Sequence, residues 1–247
     1  MGLNVIDKNV FFVESHQKLL NTSKITKPWI NEVSPKDKSL EVYSLFQRRR
    51  SRRGEVGGDG NPLIYALKGH KDYIVCCKEM VKLKPFFEHN LSVCIKSLDF
   101  DVVVLSPSSY GLASFLFMRL VKLEVNAIFY QEVFEKVTNK DAIDQIKNNI
   151  LDKQSPKGRR YYTTLLSVLE KNIDLTFSMK GVTPQYRRGV LVYKFTDVFN
   201  KELLKNKKIL LIDDLLATGS SLLTAQELLV GAGAKKVSAL CIFSALH

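Results

Sequence analysis

Residues Ile209–Ser221 read ILLIDDLLATGSS. The first four are apolar at every position, the pattern of a strand buried on both faces of a parallel sheet rather than of a half-exposed strand that alternates. Two acids, Asp213 and Asp214, follow where such a strand ends, and the small and hydroxyl residues after them open an apolar stretch with helical spacing, Ser221 to Val230. In parallel sheets ligands bind beyond the carboxyl ends of the strands, where loops lead into helix N-termini. A turn of this composition offers backbone N–H groups, a permissive glycine and three hydroxyls to a phosphate. The acids accept hydrogen bonds from vicinal hydroxyls. A sugar phosphate satisfies both chemistries at once.

Working outward, Gly231 and Gly233 suit a helix end, and KKVSALCIFSAL supplies a final strand. Upstream, DVVVLS at Asp101–Ser106 is a β-branched strand entering PSSYG, and the largely apolar segment from Gly111 reads as a helix. Asn126 to Phe129 reads as another strand, and Arg188 to Phe195 alternates like one. Residues 62–69 and 72–87 show helical spacing, with Pro85 expected to bend or end the second helix. Gln131 to Arg160 reads as exposed helix ending in a loop, and Tyr161 to Ile173 as helix again. Strands alternating with helices imply an α/β fold with a mainly parallel, doubly wound sheet covered on both sides.

Composition sets outer limits. A chain of 247 residues with 45% hydrophobic and 25% charged side chains is an ordinary globular balance. No apolar run is long enough to cross a bilayer and the N-terminus lacks the pattern of a secretory signal, so a cytoplasmic protein without membrane contact is expected. Cys76, Cys77, Cys94 and Cys241 have neither zinc-site nor disulfide-framework spacing, and His16, His70, His89 and His247 sit in no metal or triad pattern. The net charge of +12 points to anionic partners, phosphorylated small molecules or nucleic acid.

Residues 1–60 read as an N-terminal extension that ends in QRRRSRRGEVGGDGNP, an aperiodic arm holding Arg48, Arg49, Arg50, Arg52 and Arg53. This arm is either a solvated linker or an electrostatic contact for RNA or DNA phosphates. Residues 61–247 read as the globular domain.

The thirteen residues from Ile209 resemble the phosphoribosyl pyrophosphate (PRPP) signature of type I phosphoribosyltransferases. The resemblance implies that Asp213 and Asp214 hold the ribose 2′ and 3′ hydroxyls, and that Ala217, Thr218, Gly219, Ser220 and Ser221 hold the 5′-phosphate. Gly219 is then expected where the backbone closely approaches that phosphate. GNPLIYALKGHKDY, DVVVLSPSSYG and QYRRGVLVYKF precede the signature in the order shown by the ComF-like, competence-type branch of the family. By that likeness Ser106, Ser108, Ser109 and Gly111 belong to a pyrophosphate loop, and Arg187 and Arg188 to a basic segment with a catalytic role. The sequence departs from the branch in having no zinc ribbon, no basic residue in the pyrophosphate loop, and a long connection, about residues 130–183, read as an inserted hood over the acceptor site. Lys157, Arg159, Arg160 and Lys180 are further candidates for diphosphate contacts, with a solvated basic surface as the plainer reading. Tyr161 and Tyr162 either stack on a base or pack against neighbouring leucines.

The activity implied by the resemblance is transfer of phosphoribose from PRPP to a nitrogen acceptor, with release of pyrophosphate and Mg²⁺ held mainly by the substrate near Asp213 and Asp214. Two alternatives stay open: a non-catalytic sensor of PRPP or a nucleotide, and a nucleic-acid-associated effector, as in DNA uptake or retron-type anti-phage defence. A homodimer or a larger nucleoprotein assembly is compatible with either.

Overall fold

The computed structural model describes residues 1–33, 39–49, 61–107, 111–187 and 190–245. The chain opens with a hairpin, β1 (Gly2–Ile6) and β2 (Asn9–Val13). Its turn residues, Asp7 and Lys8, both take positive φ, which matches the twist of a two-residue hairpin loop. Three strands follow, β3 (Leu20–Asn21), β4 (Trp29–Val33) and β5 (Leu40–Arg48). Next come α1 (Asn61–Leu67), α2 (Cys77–Ser97), β6 (Val102–Leu105), α3 (Leu112–Lys122) and β7 (Ile128–Tyr130). A mostly helical segment contains β8 (Phe134–Lys136), α4 (Asn139–Gln145), α5 (Pro156–Leu169) and β9 (Tyr193–Phe195). The C-terminal part is β10 (Lys208–Leu215), α6 (Ser220–Gly231) and β11 (Lys236–Ala245).

The main sheet has seven strands in the order β3-β5-β11-β10-β6-β7, with β4 also on β5. Every pairing from β5 to β7 is parallel, whereas β3 and β4 lie antiparallel along the free edge of β5. Strand alternation sorts the core into two layers. Ile209 and Leu211 face one layer with Leu222, Ala225 and Leu229 of α6 and the segment carrying α4 and α5. Leu210 and Ile212 face the other, with the β1–β2 hairpin and the apolar sides of α1, α2 and α3. Helices therefore cover both faces of a mainly parallel sheet, as expected.

Four expectations are corrected. The segment upstream of residue 61 places β5 inside the main sheet, where it pairs with β11 from Ala239 to Ala245. Arg48 closes that strand with 5% of its surface exposed, so it belongs to the packed body rather than to a solvated arm. Pro85 does not end α2, which runs on to Ser97 because Leu83, Phe87, Leu91 and Cys94 hold both sides of the proline in the core. Residues 131–160 are not an exposed helix ending in a loop. Val133, Phe134, Val137, Ile143 and Ile146 are buried, and the supposed loop is the start of α5, where the Ser155 hydroxyl accepts from the Gly158 N–H and Pro156 takes the first turn. Finally, the strand expected from Arg188 shrinks to β9, which pairs antiparallel with β8 as a ribbon outside the main sheet.

Candidate functional site

Strand β10 delivers both acids to the carboxyl end of the parallel sheet. Asp213 continues the series Ile209, Leu211 and Asp214 the series Leu210, Ile212, so alternation sends the two carboxyls toward different layers. Their partners follow that division. Asp214 pairs with the Lys68 ammonium, which stands just beyond α1, at 2.6 Å. Asp213 Oδ1 accepts from the Asp214 N–H at 2.8 Å and lies near Lys136 and Tyr193 of the β8–β9 ribbon.

Both acids are deeply set, Asp213 with 9% and Asp214 with 7% of its surface exposed. Burial pushes the Asp213 carboxyl well above the usual carboxylate range and the charge of Asp214 pushes it the same way; the Asp214 amide and the charges of Lys68 and Lys136 oppose them only in part. The site is therefore primed for hydroxyl donors or a cation that would favour the charged form. Burial, and then the negative charge of Asp213, likewise raise the Tyr193 phenol far above its ordinary value. That phenol makes a long 3.5 Å hydrogen bond to the Pro107 carbonyl and has the Ser221 hydroxyl as its other partner.

Beyond the acids the chain turns through Ala217 and Thr218 into α6. Gly219, at φ +75°, is the N-cap residue of the helix and has no side chain of its own to cap the first-turn amides. The Thr218 and Ser220 hydroxyls lie 3.0 Å apart at the turn. The glycine is required for a reason the sequence did not reveal: a Cβ there would stand 2.5 Å from Val33 Cγ1. Crowding at Gly219 comes from the edge strand β4, in addition to its left-handed backbone.

These elements line one cleft of about 500 Å³, which takes in Asp213, Asp214 and all five turn residues from Ala217 to Ser221. Lys68, Lys136 and Tyr193 complete its charged and polar wall, and Thr176–Met179 closes another side. Of the expected pyrophosphate loop, Pro107 lines the cleft. Ser106 is 1% exposed at the end of β6, its amide donating to the Ile212 carbonyl at 2.9 Å. Gly111 is exposed at the start of α3, with open space where a Cβ would go. Ser108, Ser109, Arg188, Arg50, Arg52 and Arg53 lie outside the described residues, as does the Lys180 side chain. Arg49 follows β5 with its N–H on the Leu19 carbonyl.

Arg187 does not line the cleft; its Nε donates to the Val182 carbonyl at 2.8 Å. Lys157, Arg159 and Arg160 are exposed on α5, outside the cleft lining, with Arg159 donating to the Asp152 carbonyl. Tyr162 is buried with its hydroxyl on the Tyr186 carbonyl, and Tyr161 stacks on Tyr186 at 4.0 Å, so both tyrosines pack. Sequence reasoning missed Lys68, Lys136 and Tyr193. Only a lysine on the inward side of a short aromatic strand, in FEK, hinted at one of them.

No group of three or more His, Cys, Asp or Glu side chains among the described residues could hold a metal. Two hard carboxylate donors in the cleft beside the Ala217–Ser221 turn nevertheless fit Mg²⁺, which typically takes one or two carboxylates, substrate phosphates and water. Asp213 and Asp214 are the residues that would hold it. No helix among the described residues is long and apolar enough to cross a membrane.

Residues 164–247 match the family model of the phosphoribosyl transferase domain. That stretch runs from within α5 to the end of the chain and contains both acids, the turn and α6. The match supports the type I phosphoribosyltransferase resemblance over the last third of the chain. No curated protein and no solved structure matches the chain significantly.

Proposed function

We propose that the cleft binds PRPP and that the chain transfers its phosphoribosyl group to a nitrogen acceptor. The observation that carries this reading is the joining, in one cleft, of two buried adjacent carboxylates and a helix N-terminus with glycine at its cap, within a stretch that matches the phosphoribosyl transferase domain. Asp213 and Asp214 accept hydrogen bonds from the ribose hydroxyls, and the amides and hydroxyls of Ala217–Ser221 take the 5′-phosphate. The order of the upstream segments favours the ComF-like branch.

In the reaction the acceptor nitrogen forms a bond to ribose C1 as the bond from C1 to the diphosphate oxygen breaks. Pyrophosphate leaves with the bonding electron pair, and the acceptor loses a proton to solvent. Positive charge develops on the ribose ring, so the neighbouring carboxylates stabilise the transition state more than the ground state. No covalent protein nucleophile is needed; the chain orients the two reactants and shields the reacting carbon. Mg²⁺ bound with the substrate would supply charge neutralisation on the diphosphate. Pyrophosphate release from PRPP, measured against a panel of purine, pyrimidine and amine acceptors, tests the transfer. Binding without release for every acceptor would leave a sensor and refute the enzyme.

A further inference from the structure

We propose that Tyr193 is a positioning residue that sets the distance between the two phosphate-binding turns of the cleft, so that one PRPP molecule can fill both. This inference rests on the PRPP reading above. PRPP carries phosphate at both ends of a ribose: its 5′-phosphate goes to the α6 turn and its diphosphate to the loop that follows β6. A ligand that engages two sites at once gains from the second only where the sites hold the ligand's own spacing. A misplacement of about 1 Å can cost roughly a hundredfold in rate.

One atom touches both turns. The Tyr193 hydroxyl lies 3.5 Å from the carbonyl oxygen of Pro107, just beyond β6, and has the hydroxyl of Ser221, in the first turn of α6, as its other partner. Pro107, Tyr193 and Ser221 all line the cleft that holds both acids. A carbonyl only accepts, so the phenol's single hydrogen goes to Pro107 and the Ser221 hydroxyl donates to the phenol oxygen. That leaves the Ser221 backbone N–H, a first-turn amide with no intrahelical acceptor, for the 5′-phosphate. The phenol is therefore a strut between the turns rather than a ligand for either phosphate.

The ring that carries this oxygen has little freedom. Tyr193 is 6% exposed, and its ring stacks on that of Phe134 with centroids 6.1 Å apart and an interplanar angle of 21°. Its strand, β9, pairs in antiparallel register with β8, which places it across from Lys136. Burial and the Asp213 charge both raise the phenol's pKa, so it stays neutral and keeps its donor hydrogen throughout the physiological range. The Asp213 carboxyl, in turn, is governed by burial, Asp214, Lys68 and Lys136. Removing a neutral phenol oxygen leaves those charges in place, which separates the strut from the acids that hold the ribose.

Calorimetry at fixed Mg²⁺ with PRPP, ribose 5-phosphate and inorganic pyrophosphate compares the two-site ligand with its halves, on Tyr193→Phe and Ser221→Ala. Tyr193→Phe keeps the buried ring and removes only the bridging oxygen. The expected result is a loss of PRPP affinity of about tenfold or more in Tyr193→Phe, with ribose 5-phosphate and pyrophosphate each within about threefold of wild type. In Ser221→Ala the loss for PRPP should exceed that for ribose 5-phosphate by a similar factor, and this variant decides the matter should Tyr193→Phe not fold. A loss shared equally by the half-ligands would show a general loosening of the cleft and would overturn the proposal. Wild-type affinity of Tyr193→Phe for PRPP would overturn it as well, while leaving the PRPP reading intact. Failure of the wild-type protein to bind PRPP would instead remove the reading itself and this inference with it.

Discussion

Lys68 and Asp214 form an ion pair of 2.6 Å between the end of α1 and the end of β10, with 16% and 9% of the respective side chains exposed. Each partner needs the other because neither is well solvated. Removal of one charge from a buried pair leaves the other uncompensated, which costs roughly 3 kcal/mol. Lys68→Met should therefore lower the unfolding free energy by about that amount in urea titrations. The double variant Lys68→Met/Asp214→Asn should recover a large part of the loss. An unchanged midpoint in the single variant would show that the pair does not hold α1 to the sheet.

The raised Asp213 carboxyl predicts a pH dependence with a definite sign. A group whose folded pKa exceeds its unfolded value contributes stability that is present below the unfolded value and is lost as pH rises through the folded one. Relative to Asp213→Asn, the wild-type protein without ligand should lose stability as pH rises from the ordinary carboxylate range into the neutral range. PRPP with Mg²⁺ favours the charged carboxylate, so its binding near neutrality should release protons. Binding enthalpies in buffers of different ionisation enthalpy read that release. Proton uptake, or parallel stability curves for the two proteins, would refute the assignment.

Val33 and Gly219 make a prediction that the sequence alone would have misdirected. Gly219→Ala forces a side chain into a left-handed backbone, at about 1–2 kcal/mol, and drives its Cβ against Val33. The variant should be destabilised before any ligand is added, and the ligand-induced rise in Tm should shrink. Adding Val33→Ala should restore stability beyond the sum of the single effects. Strict additivity would mean that Val33 does not limit the turn.

What could be read from the sequence followed the strength of the local patterns. Strands β6, β10 and β11 and helices α3 and α6 stand out because each has one period and clear boundaries. Strand β5, LEVYSLFQR, was lost because it is buried on both faces, so it does not alternate, and it adjoins the arginine tract. Asp213 and Asp214 were legible because the signature is contiguous. Lys68, Lys136 and Tyr193 reach the cleft from three separate elements, and no spacing in the chain encodes their meeting. Arg187 comes from a basic run that suggests an anion site; its Nε donates to the Val182 carbonyl, and neither residue is among those lining the cleft.

The arginine tract remains a candidate contact for nucleic acid, and the burial of Arg48 redefines the test. The hypothesis now concerns Arg49, Arg50, Arg52 and Arg53, beside a glycine-rich stretch. Replacing these four with Gln, and sparing Arg48, should flatten the log-log salt dependence of single-stranded oligonucleotide binding by roughly 2 if about three phosphates are contacted. All sequences should weaken alike, since phosphate contacts carry no base information. An unchanged slope would reduce the tract to a solvated linker.

The central claim is that the two acids at the end of β10 hold the ribose of PRPP. Its most direct test is titration calorimetry with PRPP and Mg²⁺ on the wild-type protein, Asp213→Asn and Asp214→Asn, each first shown to be folded. Each charge-assisted hydrogen bond contributes on the order of 1.5 to 3 kcal/mol, so the account predicts wild-type binding and roughly tenfold or greater weakening in both variants. Wild-type binding that persists undiminished in both variants, or no binding by the wild-type protein at all, would contradict it.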